Sequence, residues 1–263
     1  MSNFADLQMR VLSAILMAAV GLLAIWLGGF WLLLLLSLVA GLMMLELTWM
    51  LGAGSGGLPA GFLALIAGVA VFWFGYQPGL LAATSMLIAP LLGMLLLARD
   101  RWLFLSYGLA LLLAVAALYR FREADGLAGA VWLVLVVVAT DIGGYFFGRI
   151  LGGPKILPRI SPKKTWSGTL GGWLLAALVG LGFSMFHGLG ATGLVLLSVL
   201  CAIASQLGDV AESAIKRHAG VKDSSRLIPG HGGFLDRFDA LIAASLFVGA
   251  ARLLFGLPLQ GAV

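Results

Sequence analysis

The chain has 263 residues, of which 62% are apolar and only 10% are Asp, Glu, Lys or Arg, with a formal net charge of +5. A soluble domain carries about 25% charged residues, and the mean hydropathy here is +1.09. These values exclude a soluble globular domain and a disordered tail, and a single cysteine, Cys201, excludes a disulfide scaffold within the chain, which leaves a polytopic membrane protein.

A transmembrane helix takes roughly 20 mostly apolar residues to cross about 30 Å of hydrocarbon. Nine such runs follow one another, at about 11–27, 30–51, 58–74, 79–98, 102–118, 127–148, 169–186, 191–211 and 238–257. Gly28-Gly29 separates the first two as a tight hairpin, and Gly52 to Gly57 form a short Gly/Ser loop. Only Arg10 precedes the first run and no small-residue cleavage site follows it, so it reads as an uncleaved helix. Strand-type alternation is absent, which excludes a β-barrel. The expectation is an all-α, polytopic integral membrane protein with about nine transmembrane helices. It forms one membrane domain, 1–263, with N-terminal helices at about 11–118 and catalytic helices and loops at about 127–257.

Orientation follows from Lys and Arg. Nine spans place Arg10, Arg99, Arg101 and the bases of the 149–168 and 212–237 loops on one side. Arg120 and Arg122 fall on the other, and Arg252 lies within the last span. This asymmetry is a positive-inside signal. It puts the N-terminus and both long loops in the cytoplasm and the C-terminus outside a cell (inner) membrane. The basic surplus is thereby a mark of topology and of the lipid bilayer, with no nucleic acid partner.

Polar residues collect in 141–168 and 205–239, which together hold six of the eleven acids and ten of the sixteen bases. Loops that merely joined helices would not need such clustering. Ser205, Asp209, Glu212 and Lys216 fall within about 60° of one another at 100° per residue, forming one polar stripe on a helix face. An ionised residue at mid-membrane costs roughly 2.5–3.5 kcal/mol, so the stripe is expected to face a wet or ion-filled cavity. The plainer reading is a helix end fraying into water with a Glu212–Lys216 pair.

In the 229–239 stretch, Gly230, Gly232 and Gly233 leave the backbone bare around His231, where amides could cradle a phosphate. A helix starts just after and adds its positive N-terminal end. Asp236 and Asp239, three apart, share a face of its first turn. With Asp209 nearby, such hard carboxylates suit a Mg²⁺-type cation that keeps waters and substrate phosphates. The plainer reading is a Gly-rich turn capped by acids. Lys155, Arg159, Lys163 and Lys164, with Ser161, Thr165 and Ser167, make a basic, hydroxyl-bearing loop suited to phosphates or to anionic head groups. Asp141 is an intramembrane acid, functional by default, the plainer reading being helix-packing glue. Gly144/Gly148 and Gly168/Gly172 are small-xxx-small pairs expected at close helix contacts.

The stretch Ser213-Ala-Ile-Lys-Arg, Lys222-Asp223 and Ile228-Pro-Gly-His-Gly-Gly-Phe-Leu-Asp-Arg-Phe-Asp239 closely resembles the signature of the phosphatidate cytidylyltransferase, or CDP-diacylglycerol synthase, family. Gln206-Leu-Gly-Asp209 and Ser161-Pro-Lys-Lys-Thr165 are similar to that family's upstream motifs. Ser167 departs from it, standing where Glu or Gln is expected. The resemblance implies that CTP and phosphatidate give CDP-diacylglycerol and pyrophosphate in phospholipid biosynthesis. It also implies dependence on Mg²⁺, with a monovalent cation such as K⁺ allowed beside it, a cytoplasm-facing polar cavity and a homodimer.

On this reading Asp209, Asp236, Asp239 and Lys216 are the catalytic set. Asp209, Asp236, Asp239 and Asp141 hold metal. Ser161, Lys163, Lys164, Thr165, Glu212, Arg217, Lys222, Asp223, His231, Gly232, Gly233 and Arg237 line the substrates. The phosphate monoester of phosphatidate, with a second pKa near 6, is already largely dianionic at pH 7, so no general base is required. The closer rival is a CTP-dependent lipid kinase. The rival from another class is a transporter, which would place its site at the midplane between repeats. A CDP-alcohol phosphotransferase would need an Arg that does not follow Asp125-Gly126.

Overall fold

The structure is a computed structural model that describes residues 2–52, 58–158, 160–187 and 190–256. Nine α-helices and one short hairpin follow in the order Ser2–Leu27 (α1), Gly29–Leu51 (α2), Leu58–Tyr76 (α3), Leu80–Ser85 (α4), Ile88–Leu96 (α5), Arg101–Ile150 (α6), Lys155–Leu157 (β1), Ser161–Thr165 (β2), Trp166–His187 (α7), Ala191–His218 (α8) and Leu235–Phe255 (α9). The all-α membrane architecture is as expected. Many large apolar side chains, Leu80, Phe186 and Leu253 among them, point outward uncovered, as befits a chain whose solvent is lipid.

The count of spans differs from the expected nine. Among the described residues, seven helices are long and apolar enough to cross a membrane. Two departures account for the difference. The 79–98 run is broken at Met86-Leu87 into the short helices α4 and α5. The runs at 102–118 and 127–148 are joined in the 50-residue α6, whose one non-helical residue is Gly126 at φ 68 and ψ −168. Glycine alone adopts that conformation without steric cost. The limbs on either side, 101–125 and 127–150, are each roughly 37 Å long at 1.5 Å per residue, enough to span the hydrocarbon.

Helix α6 persists through Tyr119-Arg-Phe-Arg-Glu-Ala, where hydropathy falls, because those side chains dock on the α1–α2 junction. Arg122 Nε donates to Ile25 O at 2.8 Å and Arg122 Nη2 to Trp26 O at 3.3 Å, while Gly29 N donates to Glu123 Oε1 at 3.0 Å. A cation thus meets the last carbonyls of α1 and an anion the first amide of α2, the charge order that helix ends favour.

The chain divides into two compact units, one of Met1–Glu123 with Lys216–Phe238 and the other of Ala124–Ile215 with Asp239–Val263. In the first, α2 and α3 touch through glycine: a Cβ on Gly41 would lie 2.8 Å from Ala64 O, and one on Gly68 2.9 Å from Ser37 O. A groove of about 400 Å³ there is lined by Leu34, Leu38, Leu65, Val69 and Phe72 and by no ionisable side chain. In the second, α6 meets α7 along Gly143, Gly144 and Gly148 against Gly168, Gly171 and Gly172, which include both expected small-residue pairs. A Cβ on Gly168 would fall 2.5 Å from Gly144 O. Helix α8 meets α9 at Gly208, beside Asp239 O and the Ala243 methyl. Arg252 of α9 is ion-paired with Asp125 of α6, a side chain only 1% exposed.

Candidate functional site

The expected site residues fall into two clusters, one within each unit. The first is built on Asp236 in the opening turn of α9. Its Oδ1 lies 2.6 Å from Lys216 Nζ, in a pair whose side chains are 11% and 4% exposed for the lysine and the aspartate. Its Oδ2 accepts from Ser224 N, Ser224 Oγ and Gly233 N, each at 2.8 Å. Gly232, at φ 80, leaves room only because it lacks a Cβ, which would lie 2.6 Å from that same oxygen. Asp236 therefore draws the two ends of the 224–233 segment together around one carboxylate.

A second carboxylate completes this cluster, and the sequence reading passed over it. Glu46, on the apolar helix α2, is 0% exposed. Its carboxylate accepts from Phe234 N and Leu235 N at 2.8 Å each, from Ser225 Oγ at 2.7 Å and from Ser224 Oγ at 3.2 Å. Two of those donors are amides at the start of α9, which have no partner inside the helix. The signal was present, since a lone acid in an apolar span is functional by default.

The Gly-rich loop is thus no open nest. The amides of Gly233, Phe234 and Leu235 go to Asp236 and Glu46, and Ile228 N and His231 N bond Gly232 O and Ile228 O. The plainer reading, a turn capped by acids, describes its backbone. His231 Nδ1 lies 2.8 Å from Ser13 Oγ on α1, and Arg237 Nε donates to His231 O at 3.0 Å. Arg217 Nη1 donates to Val221 O at 2.9 Å, while Arg217, Lys222, Asp223 and Arg237 are exposed. His218 pairs with Asp100 at 2.8 Å.

The second cluster joins the β-hairpin to α8. The loop expected at 149–168 pairs Lys155 with Thr165 and Leu157 with Ser161. Arg159 lies outside the described residues. Thr165 caps α7 by accepting from Gly168 N at 3.2 Å, and this fixes where the strand ends. Lys164 then reaches Asp209 Oδ2 at 2.6 Å and Gln206 O at 3.3 Å. Ser213 Oγ donates to Asp209 Oδ1 at 3.3 Å, and Trp173 Nε1 holds Gln206 at 3.0 Å. Asp141 of α6 is close enough to Asp209 and Lys164 for their charges to act on it. Glu212 and Ser205 are buried on α8, Ser161 is half-buried and Lys163 is exposed. Ser167, the departure from the family pattern, bonds Thr165 Oγ1 in its own turn and Gly152 O across the hairpin.

Mg²⁺ takes hard oxygen ligands and is commonly held by one or two carboxylates together with waters and phosphates. Asp141 and Asp209 are near enough for their charges to interact, and the carbonyl of Asp239 lies at the α8–α9 contact, while Asp209 already serves the Lys164 ammonium and the Ser213 hydroxyl. Asp236 fits less well, because its oxygens already serve an ammonium and three other donors. Among the described residues no group of three or more His, Cys, Asp or Glu is assembled to hold a metal, so the four acids expected to share one are not gathered as a ready-made cage.

Comparison with known proteins agrees with the signature. Over 143 residues, 54% of this chain, it is 48% identical to a phosphatidate cytidylyltransferase of Brucella suis, of which the match covers 53%. Over 159 residues, 58% of this chain, it is 39% identical to a phosphatidate cytidylyltransferase of Staphylococcus haemolyticus, of which the match covers 61%. The chain spans about half to three fifths of the length of these curated relatives. A model of the cytidylyltransferase family matches residues 8–255. Because that match runs from α1 to the end of α9 and takes in both clusters, the chain belongs to the cytidylyltransferase family.

Proposed function

We propose that the chain transfers the cytidylyl group of CTP to phosphatidate, giving CDP-diacylglycerol and pyrophosphate. The observation that carries this reading is the unbroken 213–239 signature, within a chain 48% identical over 143 residues to a protein of that name. A phosphate oxygen of phosphatidate attacks the α-phosphorus of CTP. The new O–P bond forms as the bond to the β-phosphate oxygen breaks, and pyrophosphate departs with that electron pair. The nucleophile is already an anion near neutral pH, so the residues need not remove a proton from it. Their task is to hold two anions in line.

Arg217, Lys222, His231 and Arg237 of the signature segment serve as donors to phosphate, and Lys163 and Lys164 of the hairpin do likewise. Lys164 uses two of its three N–H bonds within the chain, leaving one for a ligand. Asp141 and Asp209, with Asp239, are the residues that would hold Mg²⁺, which when bound supplies neutralisation of the triphosphate and of the departing pyrophosphate. The diacyl tails stay in the bilayer. The enzyme works as a homodimer in the cell membrane, with its N-terminus and the 149–168 and 212–237 segments cytoplasmic and its C-terminus outside, as the distribution of Lys and Arg favours, an orientation in which Leu80–Leu96 crosses as well as both limbs of α6.

The reverse reaction tests this reading. Purified chain given CDP-diacylglycerol and labelled pyrophosphate with Mg²⁺ is expected to form labelled CTP. Failure to do so in protein that is folded and binds CTP would contradict it, since a lipid kinase or a transporter has no route from pyrophosphate to CTP.

A further inference from the structure

Glu46 belongs to no motif of the 213–239 signature, yet it holds that signature's shape. A carboxylate with zero exposure on an apolar helix is costly unless it is fully satisfied. Three donors of its own converge on its two oxygens, the Ser225 hydroxyl and the amides of Phe234 and Leu235, and the single proton of the Ser224 hydroxyl is divided between it and Asp236. That set matches an acceptor-only group placed at a helix N-terminus. Ser224 Oγ stands between Glu46 Oε2 at 3.2 Å and Asp236 Oδ2 at 2.8 Å, so the two acids share one hydroxyl and clamp the same segment from opposite ends. Gly233 lies in the clamp, where a Cβ would strike both Ser224 Oγ and the Glu46 carboxylate.

We propose that Glu46 is a positioning residue for the transfer reaction. It orders residues 224–235 and thereby sets where His231 and Arg237 present themselves to phosphate. Glu46 itself touches no substrate. The proposal rests on the functional reading above. Substitution by Gln would turn one acceptor into a donor facing other donors, whereas Asp keeps the charge and shortens the reach.

The test uses the full chain in lipid nanodiscs and measures amide hydrogen exchange alongside turnover of CTP and phosphatidate with Mg²⁺. In Glu46→Gln, exchange at Ser224, Gly233, Phe234 and Leu235 is expected to rise at least tenfold while the rest of α2 is unchanged. The kcat is expected to fall at least tenfold and the KM for CTP to rise at least threefold, with Glu46→Asp recovering part of both. Should Glu46→Gln fail to fold, Ser225→Ala removes a single donor and is expected to move the same quantities two- to fivefold. Wild-type exchange and KM in the folded variants, with only the melting temperature lowered, would overturn the proposal. An inactive wild-type protein would instead remove the functional reading, and the exchange data would still decide whether Glu46 orders the segment.

Discussion

The two aspartates that head the clusters differ in what their removal should do. Lys216 and Asp236 are nearly enclosed, and breaking a buried pair from one side costs about 3–5 kcal/mol. Asp236→Asn is therefore expected to lower both turnover and melting temperature. Lys164 and Asp209 are 24% and 33% exposed, and pairs of that kind are worth about 0–1 kcal/mol. Asp209→Asn should leave the melting temperature almost unchanged while turnover falls at least a hundredfold. Near-normal turnover in a stable Asp209→Asn protein would remove Asp209 from the proposed metal-holding set. The sequence made both aspartates visible through their place in motifs. It did not reveal that Asp236 organises its own loop, because Ser224 and Gly233 become its partners only after the chain turns back on itself.

Helix-level features were legible where hydrophobicity alone decides them. The limits of α2, α3 and α7 lie within a few residues of the apolar runs. The break expected between residues 118 and 127 shrinks to Gly126, because Arg122 and Glu123 keep the helix going by bonding α1 and α2, and hydropathy does not register a polar residue that docks on a helix end. Glycine spacing gave the α6–α7 contact correctly, since bare Cα atoms every fourth residue have few other uses in a membrane helix. Gly168→Ala would push a methyl into the Gly144 carbonyl, and overpacking of this kind costs about 1–3 kcal/mol. Its melting temperature in detergent should drop clearly. Gly182→Ala, on the same helix with open space around it, should match wild type or exceed it slightly. Equal behaviour of the two variants would contradict the packing described for α7.

Across the whole molecule, hydropathy separated membrane from soluble fold and the 213–239 signature separated this family from other membrane proteins. Neither could show that the signature segment groups with the N-terminal helices, because Glu46 and Ser13, which bond it, are far from it in sequence. The proposed orientation is tested by cysteines at Lys222 and Arg120, both exposed. The first should react with an impermeant reagent only from the cytoplasmic side and the second only from outside, with Cys201 silent because it is buried; the opposite pattern would invert the topology. The central claim is cytidylyl transfer, and the direct measurement supplies purified protein with phosphatidate, Mg²⁺ and CTP labelled in turn at the α- and γ-phosphate. The account predicts that the α-label enters the lipid and the γ-label leaves as pyrophosphate; entry of the γ-label into the lipid would make the protein a kinase and contradict it.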